Sequence, residues 1–403
     1  MRLPSSTKRS AFRPIARVLL AALPLWAACG GARGAGAGPS PGAWEARLRP
    51  VVDSLYGVSG YPGLSVGVAF VGGPALGIAA GWSDTTRRVA LTPAHRLLQG
   101  SVGKTYAAAL ALQLVREGRL ELDAPVSRYL GREPWFDRLP NARSITVRQL
   151  MNHSSGVMRY EFKDEFTRAL SADPDRAWRP EELVAYVLGE RAPFAAGQGW
   201  DYSDTNYIVL GMIVERITGR AYYEEVARRF LRPLRLHETI PSDRRVLPGL
   251  AQGYAGAGNP FGGTDAMIGA DGRFAINPQF EWTGGGMAST PRDLARWATE
   301  LYAGAVLDSA TRAEMLRGVP APLGPQGTTY GLGVIVRPLP VGVSWGHSGF
   351  FPGYLTEMMY FPQDRVAVVV QVNSSALPKD ALPPGRVVGA LVRAIRAHRQ
   401  AAP

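Results

Sequence analysis

The sequence predicts an α+β protein: an antiparallel sheet formed from N- and C-terminal strands with packed helices, plus a mostly helical inserted lobe. Three observations point there. Strand-like apolar runs lie at residues 64–71 and 75–82, and again in four segments between 330 and 372. The apolar residues between these two sets recur with helical spacing. Hydrophobic residues make up 46% of the 403-residue chain against 19% charged, which is ample material for a core.

Taken in order, residues 43–57 read as an amphipathic helix carrying Trp44, Leu48, Val51, Val52 and Leu55 on one side. Residues 64–71 and 75–82 form a hairpin around Gly72-Gly73. Residues 101–117 form a buried helix ended by Gly118. A short helix spans 146–151 with Thr146 as its cap, and two more span 206–218 and 221–230. Another runs from 291 to 301 behind Thr290. Strands are expected at 330–336, 343–347, 355–361 and 366–372, then a closing helix at 386–398. No internal repeat is present.

The formal charge is +12, and five of the positive charges (Arg2, Lys8, Arg9, Arg13, Arg17) lie in the first 28 residues, which contain no acid. The other arginines are scattered, so a nucleic-acid partner is not expected. Cys29 is the only cysteine, which excludes a disulfide within the chain and any cysteine-based metal cluster. The five histidines show no ligand spacing, and neither a metal nor a cofactor is expected.

The basic start and the eleven-residue apolar run 18–28 make residues 1–28 a signal peptide, since the run is shorter than the ~20 residues that span a bilayer. The run ends at Ala27-Ala28-Cys29-Gly30 and resembles a bacterial lipoprotein signal, with Cys29 as the lipidated residue. Trp26 stands where such signals carry leucine, and Leu25 is one place early. A rival cleavage site, Ala35-Gly36-Ala37, would give plain secretion. Residues 29–42 form a Gly/Ala/Pro linker, and residues 43–398 a single domain.

Chemistry centres on Ser101-Val102-Gly103-Lys104. Positions i and i+3 share one helix face. A serine at a helix start has backbone N–H groups nearby to hold an oxyanion, and it needs an adjacent base. Lys104 is one of four lysines, and alanines and leucines follow it, so a buried setting is expected. Three patterns are decoys. Gly63-Leu64-Ser65-Val66-Gly67 matches GxSxG but lies in a strand pattern rather than at an elbow. Gly103-Lys104-Thr105 ends like a phosphate loop, yet residue 98 is Leu. Gly284-Gly285-Gly286 lacks a dinucleotide fingerprint and fits a close backbone approach.

Two further motifs follow in order: Tyr202-Ser203-Asp204, and His347-Ser348-Gly349 after a strand-like run. With SxxK, this series resembles the serine β-lactamase and penicillin-binding-protein superfamily, and within it class C β-lactamases, DD-carboxypeptidases and related esterases. The resemblance covers most of residues 44–398. It includes the flanking stretches LLQGSVGKT, LELDAPVSRYL, TVRQLMNHSSGV and GGGMASTPRDLARW.

The resemblance implies a β-lactamase/transpeptidase-like fold and an exported serine hydrolase working through an acyl-enzyme on Ser101. Lys104 would take the serine proton, and Tyr202 would shuttle protons to the leaving group. Asp204 occupies the usual Asn position, His347 the more usual Lys position, and Gly349 would let substrate lie against the strand edge. The backbone N–H groups of Ser101 and Phe350 would form the oxyanion hole. The substrate would be a D-Ala-D-Ala peptide, a β-lactam or a small ester. Localisation would be periplasmic or outer-membrane-anchored through Cys29, otherwise secreted. The competing reading is a catalytically silent penicillin-binding or scaffold module. Asp204 accepts hydrogen bonds where Asn donates, so it is expected to pair with Lys104 or to cap the following helix.

Overall fold

The computed structural model describes residues 40–259, 261, 263–376 and 379–401. The expected signal peptide, Cys29 and most of the linker fall outside the described residues.

A nine-stranded antiparallel sheet organises the domain. The strand Gly63–Phe70, third from one edge, is hydrogen-bonded on one side to Ala75–Asp84 and on the other to Val366–Val372. Tyr354–Phe361, Gly342–Phe351 and Ile335–Leu339 continue outward by hairpins. The two ends of the chain therefore meet inside the sheet, in the register Leu64 opposite Val372 and Phe70 opposite Val366.

The alternation of side chains across a strand divides the core in two. Leu64, Val66 and Val68 join Val366, Val368, Val370 and Val372 beneath the helices Pro41–Ser59 and Pro384–Gln400. Ala69, Ala79, Ala367 and Val369 face the other way, into the larger core that includes the helices Lys104–Arg116, Asp204–Thr218 and Pro291–Tyr302. Both faces are covered, which is why Val366–Val372 is buried throughout. Ser65 is a buried strand residue, and a Cβ on Gly67 would lie 1.9 Å from the Pro291 carbonyl oxygen. The glycine of the GxSxG decoy thus seats the helix Pro291–Tyr302 on the sheet.

The caps form as expected. Thr146 makes a reciprocal capping box with Gln149, and the Thr290 hydroxyl accepts from Asp293 N–H. Three expectations are corrected. The segment 101–117 opens as a 3₁₀ turn, Gly100–Gly103, before the α-helix Lys104–Arg116. The strand expected at 330–336 is interrupted at Gly333 (φ 72°) and resumes as Ile335–Leu339. The helix Tyr222–Val226 relaxes into a π turn, Ala227–Leu231.

Candidate active site

The 3₁₀ opening bears directly on the chemistry. With three residues per turn, side chains at i and i+3 eclipse rather than merely share a face. Lys104 Nζ accordingly donates to Ser101 Oγ at 3.1 Å. The turn is pressed from both sides. A Cβ on Gly103 would sit 2.0 Å from the Gly285 carbonyl oxygen, and one on Gly349 would sit 1.8 Å from the Gln99 carbonyl oxygen. Glycine at 349 lets the strand Gly342–Phe351 pack onto the serine turn, and Gly349 also lines the cavity described below. Gly100 has φ 52° and lies against the Phe350 backbone.

Lys104 is fully buried, at 0% exposed. Besides Ser101 it meets the Gly284 carbonyl oxygen at 2.6 Å and an Asp204 carboxylate oxygen in a short contact. Three acceptors therefore surround one nitrogen. Asp204 is the first residue of the helix Asp204–Thr218, and its carboxylate caps nothing. Its second oxygen accepts from Arg159 at 2.8 Å. Burial opposes the charge on Asp204, but Lys104 and then Arg159 more than offset it and hold the carboxyl far below the usual range. Arg159 also bonds Glu161 at 2.7 Å. Burial, reinforced by the charge on Asp204, pushes Glu161 well above the usual carboxylate range.

Tyr202 stands over the pair, with Lys104 Nζ 4.8 Å from its ring centre. Its hydroxyl is buried within reach of Ser101 without closing a hydrogen bond. Burial, followed by the charge on Asp204, raises the phenol well above its ordinary value of 10.0. His347 is neutral: burial and then Lys104 push it down to about 3. Its Nδ1–H donates to the Ser348 carbonyl at 2.6 Å, so Nε2 accepts from the Tyr330 hydroxyl at 2.9 Å. The site thus carries an imidazole committed to protein partners. Beside it, Arg337 donates to Ser348 Oγ at 2.6 Å, and that hydroxyl donates to Glu357 at 2.9 Å.

Ser101, Tyr202, Asp204, His347, Gly349 and Phe350 line a single cavity of about 520 Å³, with Lys104 directly behind Ser101. Five of the chain's 13 phenylalanines line it: Phe162, Phe261, Phe280, Phe350 and Phe351. Phe162 and Phe350 are 64% and 53% exposed at its mouth. Glu161 and Glu281 also line it; Glu281 has a buried carboxyl oxygen without a partner, and Glu161 lies within hydrogen-bonding reach of Asp204.

Reading the sequence did not find Arg159, Glu161, Glu281, Tyr330 or Arg337. No spacing rule connects them, because they come from a loop (Arg159 and Glu161), a 3₁₀ segment (Glu281) and two strands (Tyr330 and Arg337). The flanking stretch TVRQLMNHSSGV stops two residues short of Arg159.

A family model described as beta-lactamase matches residues 48–391. Teichoic acid D-alanine hydrolase of Staphylococcus aureus is 29% identical over 179 residues, 43% of this chain and 40% of that protein, so the match spans two-fifths of this curated relative. The D-stereospecific amidohydrolase from Streptomyces sp. superposes with TM-score 0.69 at 27% identity, covering 85% of this chain and 97% of that one. The D-amino acid amidase from Ochrobactrum anthropi SV3 reaches TM-score 0.75 at 24% identity, covering 88% and 99%, and shares the fold. The chain belongs to the beta-lactamase family and is a serine hydrolase.

Proposed function

We propose that this hydrolase cleaves D-aminoacyl esters or amides through an acyl-enzyme on Ser101, and that Ser101, Lys104 and Tyr202 are its catalytic residues. The observation that carries this is the Lys104 Nζ–Ser101 Oγ contact of 3.1 Å inside a buried shell of acceptors. In its neutral amine form Lys104 takes the Ser101 proton as Oγ attacks the substrate carbonyl. Asp204 and the Gly284 carbonyl are placed to hold the ammonium that results. The backbone N–H groups of Ser101 and Phe350 receive the oxyanion. Tyr202, kept as a neutral phenol, donates to the leaving group and regains its proton from Lys104, and water then releases the acyl group.

The substrate class follows from the cavity and from relatives named for D-alanine and D-amino acid substrates. The unpartnered oxygen of Glu281, with the Glu161 carboxyl also lining the cavity, suits the ammonium of a free aminoacyl group. Burial first, then Asp204, pushes both carboxyls well above their usual range, so binding a cation there would release protons. The phenylalanine rim suits an apolar side chain or leaving group. A neutral His347 and an acceptor at Asp204 disfavour the carboxylate and amide side chain of a β-lactam.

The basic start, short apolar run and Cys29 support export and a lipid anchor, with residues 1–28 as signal, 29–42 as linker and 43–398 as the catalytic domain. Cys29→Ser is expected to move the protein from the membrane to the soluble fraction.

The test of function is intact mass after exposure to a fluorophosphonate, a D-alanyl nitrophenyl ester and penicillin. Labelling by the first two, lost in Ser101→Ala, is expected. Full labelling of Ser101→Ala would overturn the assignment.

A further inference from the structure

His153 lies outside the proton path just described, yet it touches both ends of the segment that carries Tyr202. It follows the short helix Val147–Met151, is fully buried, and adopts φ 64°, which is rare for a residue with a side chain. Its backbone carbonyl accepts from Asp201 N–H at 3.1 Å. Its ring Nδ1 accepts from Ser203 N–H at 3.2 Å. Between those two bonds stands Tyr202, whose ring centre is 4.2 Å from the imidazole. One residue thus holds the chain before and after the phenol and packs against its face.

The imidazole is itself fixed. Val157 N–H donates to Ser155 Oγ at 3.0 Å, and that hydroxyl donates to Asn206 Oδ1 at 2.6 Å. The Asn206 amide nitrogen is therefore turned to His153 Nδ1, 3.2 Å away. Two donors on Nδ1 place the ring hydrogen on Nε2, which is buried without a partner among Tyr202 and Tyr330. Burial, and next the nearby Lys104, keep this imidazole neutral, with Asp204 opposing and His347 and Arg159 adding to the effect. A protonated ring would lose the acceptor that Ser203 needs. The left-handed backbone aims both the carbonyl and the ring at residues 201–203.

We infer that His153 is a positioning residue that clamps Asp201–Ser203 and so holds the Tyr202 hydroxyl at Ser101 for proton delivery to the leaving group. The inference rests on the reading of Tyr202 as proton donor. It also explains why the Asn152-His153-Ser154-Ser155-Gly156 stretch lies so near the site while no side chain in it lines the cavity.

The experiment uses the full chain with two D-alanyl substrates, a nitrophenyl ester and an alkyl amide. Nitrophenolate departs without a proton, whereas an amine needs one. His153→Asn keeps a residue that tolerates the left-handed backbone, and His153→Phe keeps the ring volume. Each is expected to lower kcat on the amide by about tenfold to a hundredfold while leaving acylation by the nitrophenyl ester within about threefold. In a Tyr202→Phe background, His153→Asn should cost nothing further on the amide. Equal losses on both substrates, or full additivity with Tyr202→Phe, would overturn the positioning role. Should Tyr202→Phe alone leave amide turnover intact, the fault lies with the reading of Tyr202 instead. If His153→Phe does not fold, His153→Asn carries the comparison.

Discussion

Gly103→Ala should be far more damaging than its place in a helical turn suggests. Gly103 has ordinary helical backbone angles, φ −55° and ψ −26°, so alanine ought to gain about 1 kcal/mol in propensity. The added Cβ, however, would lie 2.0 Å from the Gly285 carbonyl oxygen. An ordinary contact needs about 3.4 Å, so the seam between the serine turn and the glycine-rich segment must open by about 1.4 Å. Lys104 Nζ reaches Gly284 O across that same seam at 2.6 Å. Opening it by that much carries the contact past hydrogen-bonding range and leaves a buried acceptor unpaired. Overpacking and the lost bond together should cost about 2–4 kcal/mol, less the propensity gain. A displacement near 1 Å at the lysine should lower kcat by about a hundredfold. Thermal melting and the pseudo-first-order rate of fluorophosphonate labelling measure the two effects separately. A Gly103→Ala protein with wild-type melting and wild-type labelling would refute the close approach and the role given to Gly284.

Other outcomes follow from the same geometry. Asp204→Asn leaves Lys104 and Arg159 facing a neutral amide, and breaking a buried pair should destabilise the fold by about 3–5 kcal/mol at neutral pH. Because the folded carboxyl titrates far below its unfolded value, that contribution is complete above about pH 3.9 and fades as pH falls. The melting difference between wild type and variant should therefore shrink in acid, and a constant difference from pH 7 to pH 3 would contradict it. Glu281→Gln and Glu161→Gln should each raise KM for free D-alanyl esters about tenfold while sparing their N-acetyl counterparts, and equal effects on both substrates would count against ammonium recognition. Phe162→Ala should raise KM about threefold to tenfold for aromatic aminoacyl substrates and little for D-alanyl ones, as read from a substrate series.

The sheet was legible because its residues obey a period. Val366–Val372 and Gly63–Phe70 are apolar enough to announce strands, and glycines mark the hairpin turn between Phe70 and Ala75. Ser101 and Lys104 were legible because their spacing is itself the chemistry. The 3₁₀ opening was not, since it follows from the squeeze between Gly285 and Phe350, segments far along the chain. Arg159, Glu161 and Glu281 were hidden for a related reason. A buried charge network is assembled by loops, and loops obey no period. Asp204 was read as either a lysine partner or a helix cap, and its two cationic partners decide between them.

The pairing of Gly63–Phe70 with Val366–Val372 has a consequence for how the chain is made. This interior pair of strands joins segments roughly 300 residues apart, so contact order is high and closure is slow. As the protein emerges, its first hairpin exists with one long apolar edge open, and nothing synthesised before Val366 occupies it. Every truncation upstream of that residue leaves an unpaired strand template, prone to pair with another copy. The nascent chain therefore depends on being shielded until its last strand and the helix Pro384–Gln400 arrive.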